Sequence, residues 1–344
     1  MRVCSKSKPN IPMKEQSRNE LLLSCLAGRS DEPMARELEQ LSSSDWEVMV
    51  QQSIRHGVAC LLYHRLSRMN LGVSLPSTAL QSLREAYLHN AERNVGLYHE
   101  LSSVLTALHN EGIPVIVLKG AYLAEGVYGD IALRPMVDVD LLVRREGLSR
   151  VKGIFIELGY GMPDNSNAES SSHVDLRPFT KPSPIPFEVH WSLPTPHPFR
   201  IDIDGLWERA HPATIAGVEV LGLSPEDLLL TLTLHACNHH KFGLGLISLC
   251  DISEVVRHYN GQIDYEQLHQ RAREWGISNC LHLTLLLSKE LLQSDVPDAL
   301  LIDSGPREFD RRLVSWAKEQ IFMDRKLASS RPSLSPPLHS CGGA

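Results

Sequence analysis

The chain lacks a long apolar run, a basic excess and paired cysteines, and each absence excludes a class of function. No stretch approaches the roughly 20 apolar residues that span a bilayer, so no membrane helix is expected. The basic opening, MRVCSKSKPNIPMKEQ, has no apolar segment behind it and does not read as a secretory signal. Lys and Arg number 34 against 41 Asp and Glu, a formal net charge of −7. A mildly acidic chain lacks the dense basic face that sequence-independent binding to DNA or RNA needs, which argues against a nucleic-acid partner. The seven cysteines are scattered, odd in number and form no CxxC pair. That excludes a disulfide framework or a cysteine zinc site and fits a reducing cytoplasm. Neither a GxSxG elbow nor a GxxxxGKS/T loop is present, so hydrolase-triad and P-loop chemistry have no local support.

The rest is ordinary material for a folded protein. Hydrophobic residues make up 42% of 344 and charged residues 22%, enough to build a sizeable core in one large domain or two modest ones. The ends are expected to be disordered tails, residues 1–15 and 327–344, the latter rich in Ser, Pro and Gly. Residues 16–111 read as a helical region. Trp46, Met49, Val50, Ile54, Val58 and Leu61 recur at helix-face spacing, and Leu97, Leu101, Val104, Leu105 and Leu108 form an amphipathic stripe. Gly112 is a fitting C-cap.

The pattern then changes to an α/β core over residues 112–222. IPVIVL reads as a strand buried on both faces, and a short helix is expected over residues 121–127. MVDVDLLV is a second strand and FEVHW a third, with a helix ending at Gly159 between them. The stretch 161–186 holds five prolines and reads as a long loop, with one edge strand at 174–179. Helices return over residues 223–326.

The chemistry-bearing residues lie on these strands and turns. Asp138 and Asp140 are two apart in a strand, so both carboxylates point to one face. Adjacent carboxylates repel and resist burial, which a divalent cation relieves; the alternative is two solvated aspartates at a strand end. Glu188 and His190 share one face of FEVHW, and Glu188 suits a third metal ligand or a proton acceptor, or else simply a wet face. Lys119 and Gly120 follow the first strand, where a glycine and a helix start can approach phosphate, although a plain turn has the same look. Arg134 suits either a triphosphate or a nearby carboxylate. His235 and His239 are four apart and can share a helix face as zinc ligands, but no third ligand is evident, and helix packing or substrate contact is preferred.

Together, LKGAYLAEGVYGDIALRPMVDVDLLV and FEVHW resemble the uncharacterised bacterial nucleotidyltransferase family of the polymerase-β-like superfamily. DWEVMVQQSIRHGVACLLYHRL upstream and LHACNHH with LCDISEVV downstream are also similar to it, so the resemblance covers roughly residues 20 to 325. It implies an α+β fold, a small mixed β-sheet core flanked by N-terminal and C-terminal helical regions. It also implies an acidic trio of Asp138, Asp140 and Glu188 holding two Mg²⁺ ions about 4 Å apart. Lys119, Gly120 and Arg134 would contact the triphosphate of an NTP donor, ATP being expected. A nucleoside monophosphate would pass to the hydroxyl of an unassigned acceptor, a small molecule or protein, with release of pyrophosphate. His190, His235 and His239 would line the acceptor cleft. One departure stands out: the superfamily's Gly-Ser is replaced by Lys119-Gly120-Ala121, which removes a phosphate-holding hydroxyl. That leaves a competing reading, a nucleotide-binding regulatory protein that has lost catalysis, and a third, a purely helical interaction scaffold.

Overall fold

The computed structural model describes residues 15–28, 32–68, 75–161, 173–178, 185–193, 199–302 and 309–323. Of the expected tails, residues 1–14 and 327–344 lie outside these; residue 15 already belongs to a helix. The chain opens with helices α1 (Glu15–Ala27), α2 (Glu32–Gln40), α3 (Ser43–Arg55), α4 (Ala59–Arg68) and the 34-residue α5 (Ser77–Asn110). A reciprocal capping box between Ser42 and Asp45 starts α3. Trp46, Met49, Val50, Val58 and Leu61 are buried as the spacing predicts, but Ile54 is 47% exposed. The stripe is in fact shared by two helices. It breaks at Gly57, whose φ of +70° turns the chain between α3 and α4; in the last turn of α3 Gln52 and Ser53 are buried while Ile54 and Arg55 face out. The α5 stripe from Leu97 to Leu108 is buried throughout.

The strands are β1 (Val115–Val117), β2 (Val139–Val143), β3 (Tyr160–Gly161), β4 (His173–Pro178), β5 (Phe187–His190), β6 (His211–Ile215) and β7 (Val218–Gly222). Their order across the mixed sheet is β3-β4-β5-β2-β1-β7-β6. At its centre β1 runs antiparallel to β2 and parallel to β7, while β2 runs parallel to β5. The buried VIV and VDLLV runs explain why these strands are interior. Strand β4 lies where an edge strand is expected, though β3 continues the sheet beyond it.

The expected helix after β1 begins earlier, at Lys119. It consists of α6 (Lys119–Tyr122) and a wide turn over Leu123–Val127, closed by Tyr128 N donating to Leu123 O at 2.8 Å. Next come α7 (Leu148–Glu157) and α8 (Ile203–Arg209). The C-terminal helices are α9 (Pro225–Leu234), α10 (Leu246–His258), α11 (Tyr265–Trp275), α12 (Ser278–Leu292), α13 (Asp298–Ile302) and α14 (Arg312–Phe322). One continuous apolar cluster links α1, the sheet and α14. No described helix is long and apolar enough to cross a membrane, and the five described cysteines are buried and free.

Candidate active site

The parallel register of β2 and β5 sets Asp140 beside Glu188. Period-two alternation then puts His190 on the same face, two positions along. Strand β1 supplies the third side. Leu118 N donates to Asp140 O at 3.0 Å, which extends the ladder by one step, and Lys119 follows at once. Its Nζ lies 2.6 Å from Asp140 Oδ1. His190 Nε2 lies 2.9 Å from the same oxygen and 3.4 Å from Glu188 Oε2, so the imidazole bridges two acids. Asp140 is 4% exposed and His190 1%, whereas the Glu188 side chain keeps 31%. Donor atoms of Asp140, Glu188 and His190 lie within 4.8 Å of one another.

Asp138 stands one residue before β2 begins, half-buried, and makes no hydrogen bond among the described residues. Its carboxyl is pushed up to about 6 by burial and then by the negative charges of Asp140 and Glu188, against the pull of Lys119 and Arg134. Asp140 behaves in the opposite way. Burial alone would raise it, but the Lys119 charge and the His190 hydrogen bond hold it well below the usual carboxylate range. His190 would be lowered by burial, yet its bonds to Asp140 and Glu188 raise it and favour the imidazolium. Asp138 thus senses the charges of the other two acids, and Asp140 already has a positive partner.

Arg134 makes the carboxylate pair that was one of its two options. Its Nε and Nη2 reach Asp251 Oδ1 and Oδ2 at 3.0 and 2.9 Å, and Tyr128 OH donates to Asp251 Oδ1 at 2.9 Å. Asp251 comes from the LCDISEVV segment in α10. The loop carrying Arg134 is pinned from the other side by α5. Asn90 Nδ2 donates to Ala132 O at 2.7 Å, and Asn94 Nδ2 donates to Ile131 O and Arg134 O. Gly120 is required by this packing, because a Cβ there would collide with the Arg134 guanidinium and come within 2.9 Å of Met136 Cγ. Gly120→Ala is therefore expected to destabilise the protein by about 1–3 kcal/mol, measured by urea unfolding.

His235 and His239 fall in a second wide turn, closed by His240 N donating to His235 O at 3.2 Å. Their rings are 6.0 Å apart, and among the described residues neither belongs to a three-member metal-ligating group. Burial, with Lys119 and His240 nearby, lowers His235 well below its usual value and keeps it neutral. Both histidines line a narrow cleft with Lys119 and His190, with room of about 20 Å³, enough for one water-sized group. A larger groove of about 780 Å³ lies between α5 and the β6–β7 hairpin and holds none of the acids.

From sequence His190 was expected to line the acceptor cleft rather than to bond the acids, and Asp251 was not picked out. His190 had a signal, its shared face with Glu188. Asp251 had none, because its pairing spans 117 positions.

No curated protein matches the chain. Two solved structures are similar at low identity. The antibiotic-resistance factor ANT(2'')-Ia is 13% identical with a TM-score of 0.38, covering 53% of this chain and 92% of that one. JHP933 from Helicobacter pylori is 14% identical with a TM-score of 0.32, covering 68% and 88%. Residues 42–293, most of the chain and all of the residues discussed above as site candidates, match the family described as uncharacterised nucleotidyltransferase. The chain belongs to that uncharacterised nucleotidyltransferase family.

Proposed function

We propose that the protein transfers a nucleoside monophosphate from an NTP to an acceptor hydroxyl and releases pyrophosphate, with a divalent metal held by Asp138, Asp140 and Glu188. The carrying observation is the register that sets Asp140 beside Glu188 on β2 and β5, with Asp138 just before β2. There, a half-buried Asp138 carboxylate with no hydrogen bond among the described residues is raised to about 6, first by burial and then by the charges of Asp140 and Glu188, a repulsion that a divalent cation would relieve. The donors fit magnesium, since all three are hard carboxylate oxygens, with Asp140 and Glu188 paired on adjacent strands and Asp138 one residue before β2. Bound there, the metal would offset charge on the triphosphate and on the departing pyrophosphate.

The chain's own groups would do the rest. Glu188, exposed more than Asp140, is placed to accept the proton of the attacking hydroxyl. The hydroxyl oxygen then bonds to the α-phosphorus, and the bond from that phosphorus to the β-bridging oxygen breaks. Lys119 and the Gly120 backbone would contact the triphosphate. Arg134 would act there through Nη1, which donates to Pro135 O at 3.3 Å, since Nε and Nη2 are held by Asp251. His190 orients Asp140 and Glu188, while His235 and His239 bound the cleft beside them. ATP as donor, a small-molecule or protein acceptor, a cytoplasmic setting and a core at 112–222 between helical regions at 16–111 and 223–326 belong to the same proposal.

A second reading, nucleotide binding without catalysis, is favoured by Ala121 in place of serine and by the Lys119 ion pair on Asp140. The two separate in one experiment. Cell extract is incubated with the protein, Mg²⁺ and each NTP, then read by mass spectrometry and pyrophosphate release. Transfer predicts a nucleotidylated product and pyrophosphate, both reduced about 100-fold or more in Glu188→Gln. Calorimetric ATP binding with no pyrophosphate supports the second reading.

A further inference from the structure

We infer that Lys119 is a built-in counter-ion of the site: it holds the charge of Asp140 until a triphosphate arrives, so the site takes its divalent cation together with the nucleotide rather than alone. This deepens the nucleotidyltransferase reading and rests on it.

Three observations converge on Lys119. Its Nζ is 2.6 Å from Asp140 Oδ1, the same oxygen that His190 Nε2 approaches to 2.9 Å. The Asp140 side chain is 5% exposed and that of Lys119 21%, so water screens the pair only weakly. The backbone at Lys119 has φ +43°, a left-handed conformation that residues with a Cβ seldom adopt. Gly120, which bears that conformation at little cost, is the next residue and does not use it. The strain therefore sits on the residue whose side chain meets the acid, and strain of this kind persists where surrounding structure enforces it.

The consequence is a competition between cations. An ammonium and a divalent ion cannot share one buried carboxylate without strong repulsion, so a bare metal ion has to displace Nζ. A metal arriving with a triphosphate brings the anion to which Nζ can transfer. Lys119 then weakens binding of the metal alone and strengthens binding of the nucleotide, and by linkage the nucleotide promotes metal binding.

Calorimetry with Mn²⁺ alone, and with ATP in EDTA, tests this on wild type, Lys119→Met, Lys119→Gln and Lys119→Arg. Gln keeps a hydrogen-bond donor for Asp140 and serves if Met fails to fold. Mn²⁺ is expected to bind about tenfold tighter to the Met and Gln variants and about as in wild type to the Arg variant, while ATP binds Met and Gln about tenfold more weakly. Unchanged or weaker Mn²⁺ binding in both neutral variants overturns the inference. If wild type binds Mn²⁺ and Asp140→Asn does not, that result leaves the nucleotidyltransferase reading standing; failure of wild type to bind Mn²⁺ even with ATP present sinks both.

Discussion

Asp140→Ala is expected to abolish nucleotidyl transfer and to cost about 3 kcal/mol of stability, whereas Asp138→Asn abolishes transfer and stabilises the protein. The sequence treats the two aspartates as equivalent, both relieved of repulsion when one is removed. The structure separates them. Asp140 is buried between Lys119 and His190, and its removal strands a half-buried ammonium and a buried imidazole. Breaking such a pair by deleting one partner typically costs 3–5 kcal/mol, and the partial exposure of Lys119 puts this case near about 3. Asp138 has no such partner. Its folded-state value of about 6 lies above the ordinary 3.8, so its ionisation opposes folding. That cost is full above about pH 6 and fades as pH falls towards 4. Asparagine removes it, for a gain of about 1–2 kcal/mol near neutral pH that disappears in acid. Urea unfolding of both variants at pH 7.5 and pH 4.5 reads the two signs. Transfer should fall by at least about 10²-fold in each.

Arg134→Ala should produce the largest purely structural loss, about 3–5 kcal/mol. Arg134 makes a bidentate pair with Asp251, and their side chains are 12% and 4% exposed. The pair ties the loop before Asp138 to α10 of the C-terminal helices, and Tyr128 adds a hydrogen bond to the same carboxylate. Arg134→Lys should recover only part of the loss, because an ammonium cannot make both bonds at once. Thermal unfolding of Arg134→Ala, Arg134→Lys and Asp251→Asn decides it. Wild-type melting in Arg134→Ala would contradict the assignment.

Local pattern made much of this legible. The runs IPVIVL, MVDVDLLV and FEVHW became central strands because their burial is encoded in consecutive apolar residues. The α5 stripe was readable because its period is sustained. The strand at Asp138 begins only at Val139, since Pro135 and the pinned loop hold the preceding residues away from the sheet. The β6–β7 hairpin escaped. Its turn is Ala216-Gly217, not Asn-Gly or Asp-Gly, although both residues adopt positive φ. Ala216 is held there by its N–H donating to Glu125 Oε2 at 2.8 Å, a contact no local pattern announces. The same holds for the site. That Glu188 and His190 share a face follows from alternation, but the meeting of His190 with Asp140 depends on a parallel register, and that of Lys119 with Asp140 on the strained turn after β1.

In the proposed reaction Asp138, Asp140 and Glu188 grip a divalent cation under a bound triphosphate. Crystals grown with Mn²⁺ and a non-hydrolysable ATP analogue test it through anomalous scattering. A manganese peak is expected in contact with the carboxylates of Asp138 and Asp140, within reach of Glu188, and with phosphate oxygens. A triphosphate bound elsewhere, or manganese that touches none of the three acids, would contradict it.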